Sequence, residues 1–137
     1  MKGFTHKVQY YETDRMGITH HSNYVRWMEE ARVYFLDAVG LPYDKLEADG
    51  IISPVTAVDC HYKATSTFAD VIAIDISVSI LKGAKLGFDY VMTNQDGQQV
   101  CQAHSEHSFL DKAGQFVALK KVYPDFYTKV QEMINQD

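Results

Sequence analysis

Only two cysteines and three prolines occur among the 137 residues. Cys60 and Cys101 lie far apart and form no CxxC pair, so neither a disulfide framework nor a paired-thiol zinc site is expected, and the expected setting is reduced and cytoplasmic. No stretch approaches the roughly 18 consecutive apolar residues of a membrane-spanning helix. The start, Met1-Lys2-Gly3-Phe4-Thr5-His6-Lys7, meets polar residues before any apolar run and does not read as a secretory leader. A basic excess is also missing: thirteen Lys and Arg against eighteen Asp and Glu give a formal charge of −5. Nucleic acid is therefore not an expected partner, because phosphate binding draws on clustered cations. Glycine fingerprints for nucleotides (GxGxxG, GxxxxGKS) are absent, which removes support for cofactor-dependent redox chemistry. With no repeat, low-complexity tract or linker, residues 1–137 read as one domain.

What is present is enough to build a core, since 46% of the chain is apolar and 12% aromatic. Phe4 to Tyr11 alternates between two faces and predicts a first strand. From about His21 to Val39 the period changes. Tyr24, Trp27, Met28, Ala31, Phe35, Ala38 and Val39 recur at the three-to-four spacing of one buried helical stripe, and Gly40 is placed to stop it. A short helix or turn follows over Tyr43 to Asp49. Strands are then predicted over Ser53 to Tyr62, Val71 to Leu81, Lys85 to Asn94 and Gln99 to Phe109, with a short sixth over Phe116 to Leu119. In the clearest of them Ile72, Ile74, Ile76, Val78 and Ile80 share one face. Gly and Asp in the connections suit hairpins. Pro124 opens a terminal helix from about Asp125 to Asn135. The order predicts an α+β fold in which one long helix packs on an antiparallel sheet of five to six strands.

Chemistry concentrates between the first strand and the long helix, in Tyr10-Tyr11-Glu12-Thr13-Asp14-Arg15-Met16-Gly17-Ile18-Thr19-His20-His21-Ser22-Asn23-Tyr24. A carboxylate, a glycine, two histidines and the capping-type Thr19, Ser22 and Asn23 gather where a helix leaves main-chain N–H groups unpaired. Such amides stabilise an oxyanion, and Asp14 is the nearest carboxylate able to act as base or nucleophile beside them. The same residues also suit an ordinary turn and N-cap, so spacing alone leaves both readings open.

Tyr11-Glu12-Thr13-Asp14-Arg15-Met16-Gly17, His20-His21-Ser22-Asn23-Tyr24, Arg26-Trp27 and Glu30-Ala31-Arg32 together resemble the signature of the 4-hydroxybenzoyl-CoA thioesterase-like acyl-CoA thioesterases, a hot-dog-fold family. The likeness continues through Tyr62 and the segment from Ala64 to Asp70 into the Lys82-Gly83 hairpin, and so covers nearly the whole chain. It implies a sheet wrapped around the central helix, and two subunits joined edge to edge as a homodimer or a tetramer of dimers. Asp14 is implied as the active-site carboxylate, Gly17 as the glycine of the loop beneath the thioester, and His21 as the helix-start position whose N–H faces the thioester carbonyl. Departures from the usual pattern fall at Glu12, where Asp is frequent, at Arg15 and Met16, and at His20, where an aromatic is common.

Other candidates are weaker. His104 and His107, three apart on a strand, face opposite sides, and the adjacent side chains of His20 and His21 diverge, so no metal is expected. Cys60 and Cys101 sit in apolar strand patterns and are assigned to the core. Glu29 and Glu30 are the rival carboxylates, with Glu30 expected to pair with Arg26. Asp59 is a weaker rival. Lys82 and Lys85, bracketing the Gly83 turn in an acidic chain, are candidates for coenzyme phosphates, and Tyr24 for the substrate. The expected activity is hydrolysis of an acyl-CoA without metal or organic cofactor. The alternatives are an acyl-carrier-protein thioesterase and a non-catalytic acyl-CoA-binding module. A hydratase is disfavoured, because Asp14 is followed by Arg15 and Met16 rather than continuing D-x-N-x-x-H. Aromatics at Tyr10, Tyr24, Trp27, Phe35, Phe88 and Tyr90 suit an aryl or an alkyl tunnel equally. The shared edge is expected at Ser53 to Tyr62, since an uncovered edge invites pairing.

Overall fold

A computed structural model describes residues 1–136. Five strands form one antiparallel sheet in the order β1-β3-β4-β5-β2: β1 (Phe4–Lys7), β2 (Val55–Tyr62), β3 (Val71–Lys82), β4 (Lys85–Thr93) and β5 (Gln99–Ser108). The long helix α1 (Ser22–Ala38) packs on its inner face. Helix α2 (Tyr43–Ala48), the short α3 (Leu119–Val122) and the terminal α4 (Pro124–Gln136) complete the chain, with α4 against β3. No helix among the described residues is long and apolar enough to cross a membrane.

Why α1 lies where it does follows from its stripe. Tyr24, Trp27, Met28, Ala31, Phe35 and Leu36 are buried against inward residues of the sheet such as Ile72, Ile74, Ile76, Phe88 and Met92. Phe35 meets Phe88 edge-on, with ring centroids 5.4 Å apart. Ala38 falls outside the stripe and is exposed. Gly40, with φ of 86°, ends the helix as expected, and the Leu41 N–H returns to the Leu36 carbonyl at 2.9 Å.

Three expectations are corrected. The first strand ends at Lys7, not Tyr11, because the Gln9 N–H turns back to the Glu12 carboxylate at 2.8 Å and closes a 3-10 turn over Tyr10–Glu12. A sixth strand does not form over Phe116 to Leu119. Phe116 makes only an isolated bridge with Leu110, and Leu119 already begins α3, leaving five strands among the described residues. Ile80 does not share the inner face of Ile72, Ile74 and Ile76. A bulge between Val78 and Ile80 shifts the pairing to Gly87, over which Ile80 packs so closely that a β-carbon there would come within 2.9 Å of it, and Leu81 takes the inward place.

The inner face also carries a polar file that the apolar pattern does not reveal. Arg32 of α1 donates to the Tyr90 hydroxyl at 3.1 Å, Tyr90 contacts Ser105 Oγ at 2.6 Å, and Ser105 Oγ contacts His107 Nε2 at 2.8 Å. His104 faces the other way, between Asp89 and Glu106, as strand alternation requires.

Burial, with the Arg32 guanidinium and His104 acting in the same sense, pushes His107 down to about 4. The ring is neutral in the fold, whereas an unfolded chain takes up a proton near 6.5. The unfolded state therefore binds more protons between about pH 6.5 and 4, and stability falls as the pH drops across that window, by on the order of 3 kcal/mol from this group. Denaturant titrations at pH 7 and pH 4 should show the wild-type advantage over His107→Gln shrinking by about that amount, and an advantage independent of pH would contradict it.

Candidate active site

The loop after the 3-10 turn is closed on itself. Thr13 and Thr19 pair as an antiparallel bridge, the Asp14 N–H donates to the Ile18 carbonyl at 2.9 Å, and the Gly17 N–H donates to the Asp14 carbonyl at 3.0 Å. Asp14 Oδ1 accepts the Met16 N–H at 2.8 Å, an Asx-type turn that holds the half-buried carboxylate. Gly17 has φ of 79° with open space around its Cα, so it supplies a left-handed backbone and not room for a neighbour. Its carbonyl accepts the Thr67 hydroxyl at 2.7 Å.

A second tie anchors the loop from below. The Thr19 N–H donates to the Ser66 carbonyl at 2.8 Å, Thr19 Oγ1 meets Ser66 Oγ at 2.7 Å, and the Tyr24 hydroxyl reaches the same Ser66 Oγ at 2.9 Å. All three residues are buried. Burial raises the Tyr24 phenol, which stays neutral, and its hydroxyl is already engaged. Its buried ring has Trp27 on one side at 4.6 Å and Tyr62 on another at 5.1 Å.

At the helix start the expected capping residues are otherwise employed. Thr19 bonds Ser66, and Asn23 Nδ2 donates to the carbonyls of Glu12 at 2.9 Å and His20 at 3.1 Å. The His20 ring does the capping: its Nδ1 accepts the Ser22 N–H at 3.2 Å and pairs with the Ser22 hydroxyl at 2.8 Å. His21 is exposed, with its ring stacked on His20 at 4.3 Å and its carbonyl accepting the Tyr62 hydroxyl at 3.2 Å. Its main-chain N–H makes no hydrogen bond to any described residue. Asp14 and this open N–H therefore flank the same short closed loop.

Glu12, two residues before Asp14, is buried at 4% exposure and accepts from Gln9 N at 2.8 Å, His6 Nε2 at 2.8 Å and Trp27 Nε1 at 2.8 Å. Burial raises its carboxyl, but those three bonds prevail and hold it below the usual carboxylate range. Glu30 reaches His6 Nδ1 at 2.9 Å instead of Arg26, so the expected helical pair is not made. Spacing gave no hint of Ser66 and Thr67, which come from a distant loop. His6, by contrast, alternates inward with Phe4 on the first strand, and that was a readable signal.

Lys82 and Lys85 face each other across the β3–β4 hairpin. Lys85 Nζ is held by Glu106 Oε1 at 2.6 Å, which leaves Lys82 as the freer cation of the two. Cys101 is buried and Cys60 half-buried against Met28 Sδ at 3.6 Å, in keeping with the core assignment. Among the described residues no group of three or more His, Cys, Asp or Glu is placed to hold a metal ion. An open groove of about 560 Å³ between β1 and α1 is lined by Phe4, His6, Glu29 and Glu30 among others, and by none of Asp14, Gly17 and His21.

A helix wrapped by an antiparallel sheet is the hot-dog fold, which solved thioesterase structures share. A family model of the thioesterase-like superfamily matches residues 8–132, and the chain belongs to that superfamily. YneP, a proposed acyl-CoA thioesterase of Bacillus subtilis, is 30% identical over 127 residues, 92% of this chain and 92% of YneP. The crystal structure of DHNA-CoA thioesterase from Staphylococcus aureus superposes with a TM-score of 0.90 at 28% identity, covering 97% of this chain and 92% of that one. BH1999, a gentisyl-coenzyme A thioesterase, does so with a TM-score of 0.78 at 27% identity, covering 84% and 93%.

Proposed function

We propose that the protein hydrolyses an acyl-CoA thioester to the free acid and coenzyme A, with Asp14 as the reacting carboxylate and the His21 N–H as the donor to the thioester oxygen. The observation that carries this reading is the placement of a half-buried carboxylate and an unengaged helix-start N–H on the two arms of one closed loop. A thioester suits such a site because thiolate is a good leaving group, so neither zinc nor a strong base is required. Asp14 acts in one of two ways. As nucleophile, its oxygen bonds the carbonyl carbon and expels the CoA thiolate, and water then cleaves the resulting anhydride. As base, it takes a proton from the water that attacks. Single turnover in H₂¹⁸O, with the label read in both the acid and residue 14, gives the nucleophilic signature as ¹⁸O in Asp14 and none in the acid, the outcome when water opens the anhydride at the Asp14 carbonyl.

The loop lies at the surface of one chain, with Tyr10, Tyr11, Met16 and Phe68 exposed around it. A second subunit joined along β2 supplies the missing wall in this reading. That strand is one of the two sheet edges, with Val55, Val58 and Tyr62 half exposed, and this supports pairing there. Light scattering that returned only the monomer mass at micromolar concentration would remove the dimer from this account.

Thiol release over a panel of acyl-CoAs is the direct test. Asp14→Asn, nearly isosteric and neutral, should lower kcat about 10²–10⁴-fold with little change in KM. His21→Ala should lose less, because its main-chain N–H survives. Lys82→Ala should raise KM for acyl-CoA more than Lys85→Ala does, since Glu106 already offsets Lys85. Turnover preserved in Asp14→Asn and abolished in Glu30→Gln would move the chemistry to the helix, while tight binding without turnover would make the protein an acyl-CoA carrier. Faster turnover of acyl-carrier-protein thioesters would change the substrate and leave the site in place.

A further inference from the structure

We propose that Glu12 is a positioning residue for this hydrolysis, fixing the separation between the Asp14 carboxylate and the His21 N–H, an inference that rests on the roles given to those two groups above. Glu12 holds four parts of the molecule at once. Its Oε1 takes the Gln9 N–H of the 3-10 turn and His6 Nε2 of β1, its Oε2 takes Trp27 Nε1 of α1, and its own carbonyl takes the His20 N–H and Asn23 Nδ2. The peptide that leads into Thr13 and Asp14 is thereby bound to the residue before His21. Both arms of the reactive loop are set by one side chain and one carbonyl.

Burying a carboxylate is costly unless every lone pair it hides is met, and here Gln9, His6 and Trp27 all meet it. The bonds that meet it come from separate elements, so they fix direction as well as filling space. His6 is itself oriented from the far side, because its Nδ1 meets Glu30 Oε2 at 2.9 Å. Position matters at such a site: a misplacement of about 1 Å costs about 10²-fold in rate. Only a carboxylate satisfies this pocket, since the Gln9 N–H on one oxygen and the Trp27 indole N–H on the other are donors that cannot reverse. An amide would have to set an N–H against one of them.

Glu12→Gln is the test, in the full-length protein with the acyl-CoA that the wild type turns over fastest. It should lower kcat at least 10-fold with KM within about 3-fold, and CoA affinity by calorimetry should be unchanged, a split that general loosening of the fold would not give. His6→Gln, which keeps a donor towards Glu12, should stay within about 3-fold of wild-type kcat, while His6→Leu, which removes it, should fall at least 5-fold. The His6 pair decides the matter if Glu12→Gln does not fold. Wild-type kcat in Glu12→Gln, or equal kcat in the two His6 variants, overturns the positioning role. Asp14→Asn in the same series separates the two claims: if it keeps full activity the assigned chemistry fails, and if it is inactive while Glu12→Gln is normal only the present inference fails.

Discussion

One helix with one apolar stripe has to be covered by a single sheet, and this constraint organises the rest of the molecule. The stripe of α1 from Tyr24 to Leu36 is buried along its length against strands from both ends and the middle of the sheet, β1, β2, β3 and β4, so the sheet must curl around the helix. Dispersion and the removal of apolar area from water drive that arrangement. Its consequence is positional. The amino end of α1 is pinned by buried Trp27 and Tyr24, and the loop that feeds it cannot wander while Ser66 and Glu12 hold its two sides.

Besides the Thr19–Ser66–Tyr24 tie, two sets of buried polar groups stand out. One lies deep on the inner face, where Arg32, Tyr90, Ser105 and His107 satisfy one another and remain neutral apart from the guanidinium. The Arg32 Nε has no partner among the described residues, so this file is held with one donor unmet. The other set, His6, Glu12 and Trp27, lies where the 3-10 turn leads into the Asp14 loop. Specific direction is what these bonds add to a core that apolar packing alone would hold together.

Period and turn chemistry made most of the fold legible. The isoleucines of β3 and the stripe of α1 gave element type and facing, and Gly40, Gly83 and Pro124 marked ends that the structure keeps. The misreadings have local physical causes. Alternation continued past Lys7, but a side-chain bond from Glu12 back to the Gln9 N–H outweighed it, and one extra residue at the β3 bulge turned Ile80 outwards. Asp14, Gly17 and His21 became candidates because they crowd one short segment whose motif resembles a known family, and spacing alone left a plain turn open. Ser66 and Thr67 did not, since their partners lie across the fold and no spacing encodes such contacts. Arg32 was passed over because a stripe is sought among apolar residues.

The proposed chemistry requires a thioester carbonyl to sit between the Asp14 carboxylate and the His21 N–H. The most direct test is a crystal structure of the Asp14→Asn variant holding an intact acyl-CoA. The expected result is a carbonyl oxygen about 3 Å from the His21 nitrogen, with the side chain at position 14 about 3–3.5 Å from the carbonyl carbon or from one water beside it. A thioester seated instead in the groove lined by Glu29 and Glu30, with the His21 N–H facing solvent, would contradict it.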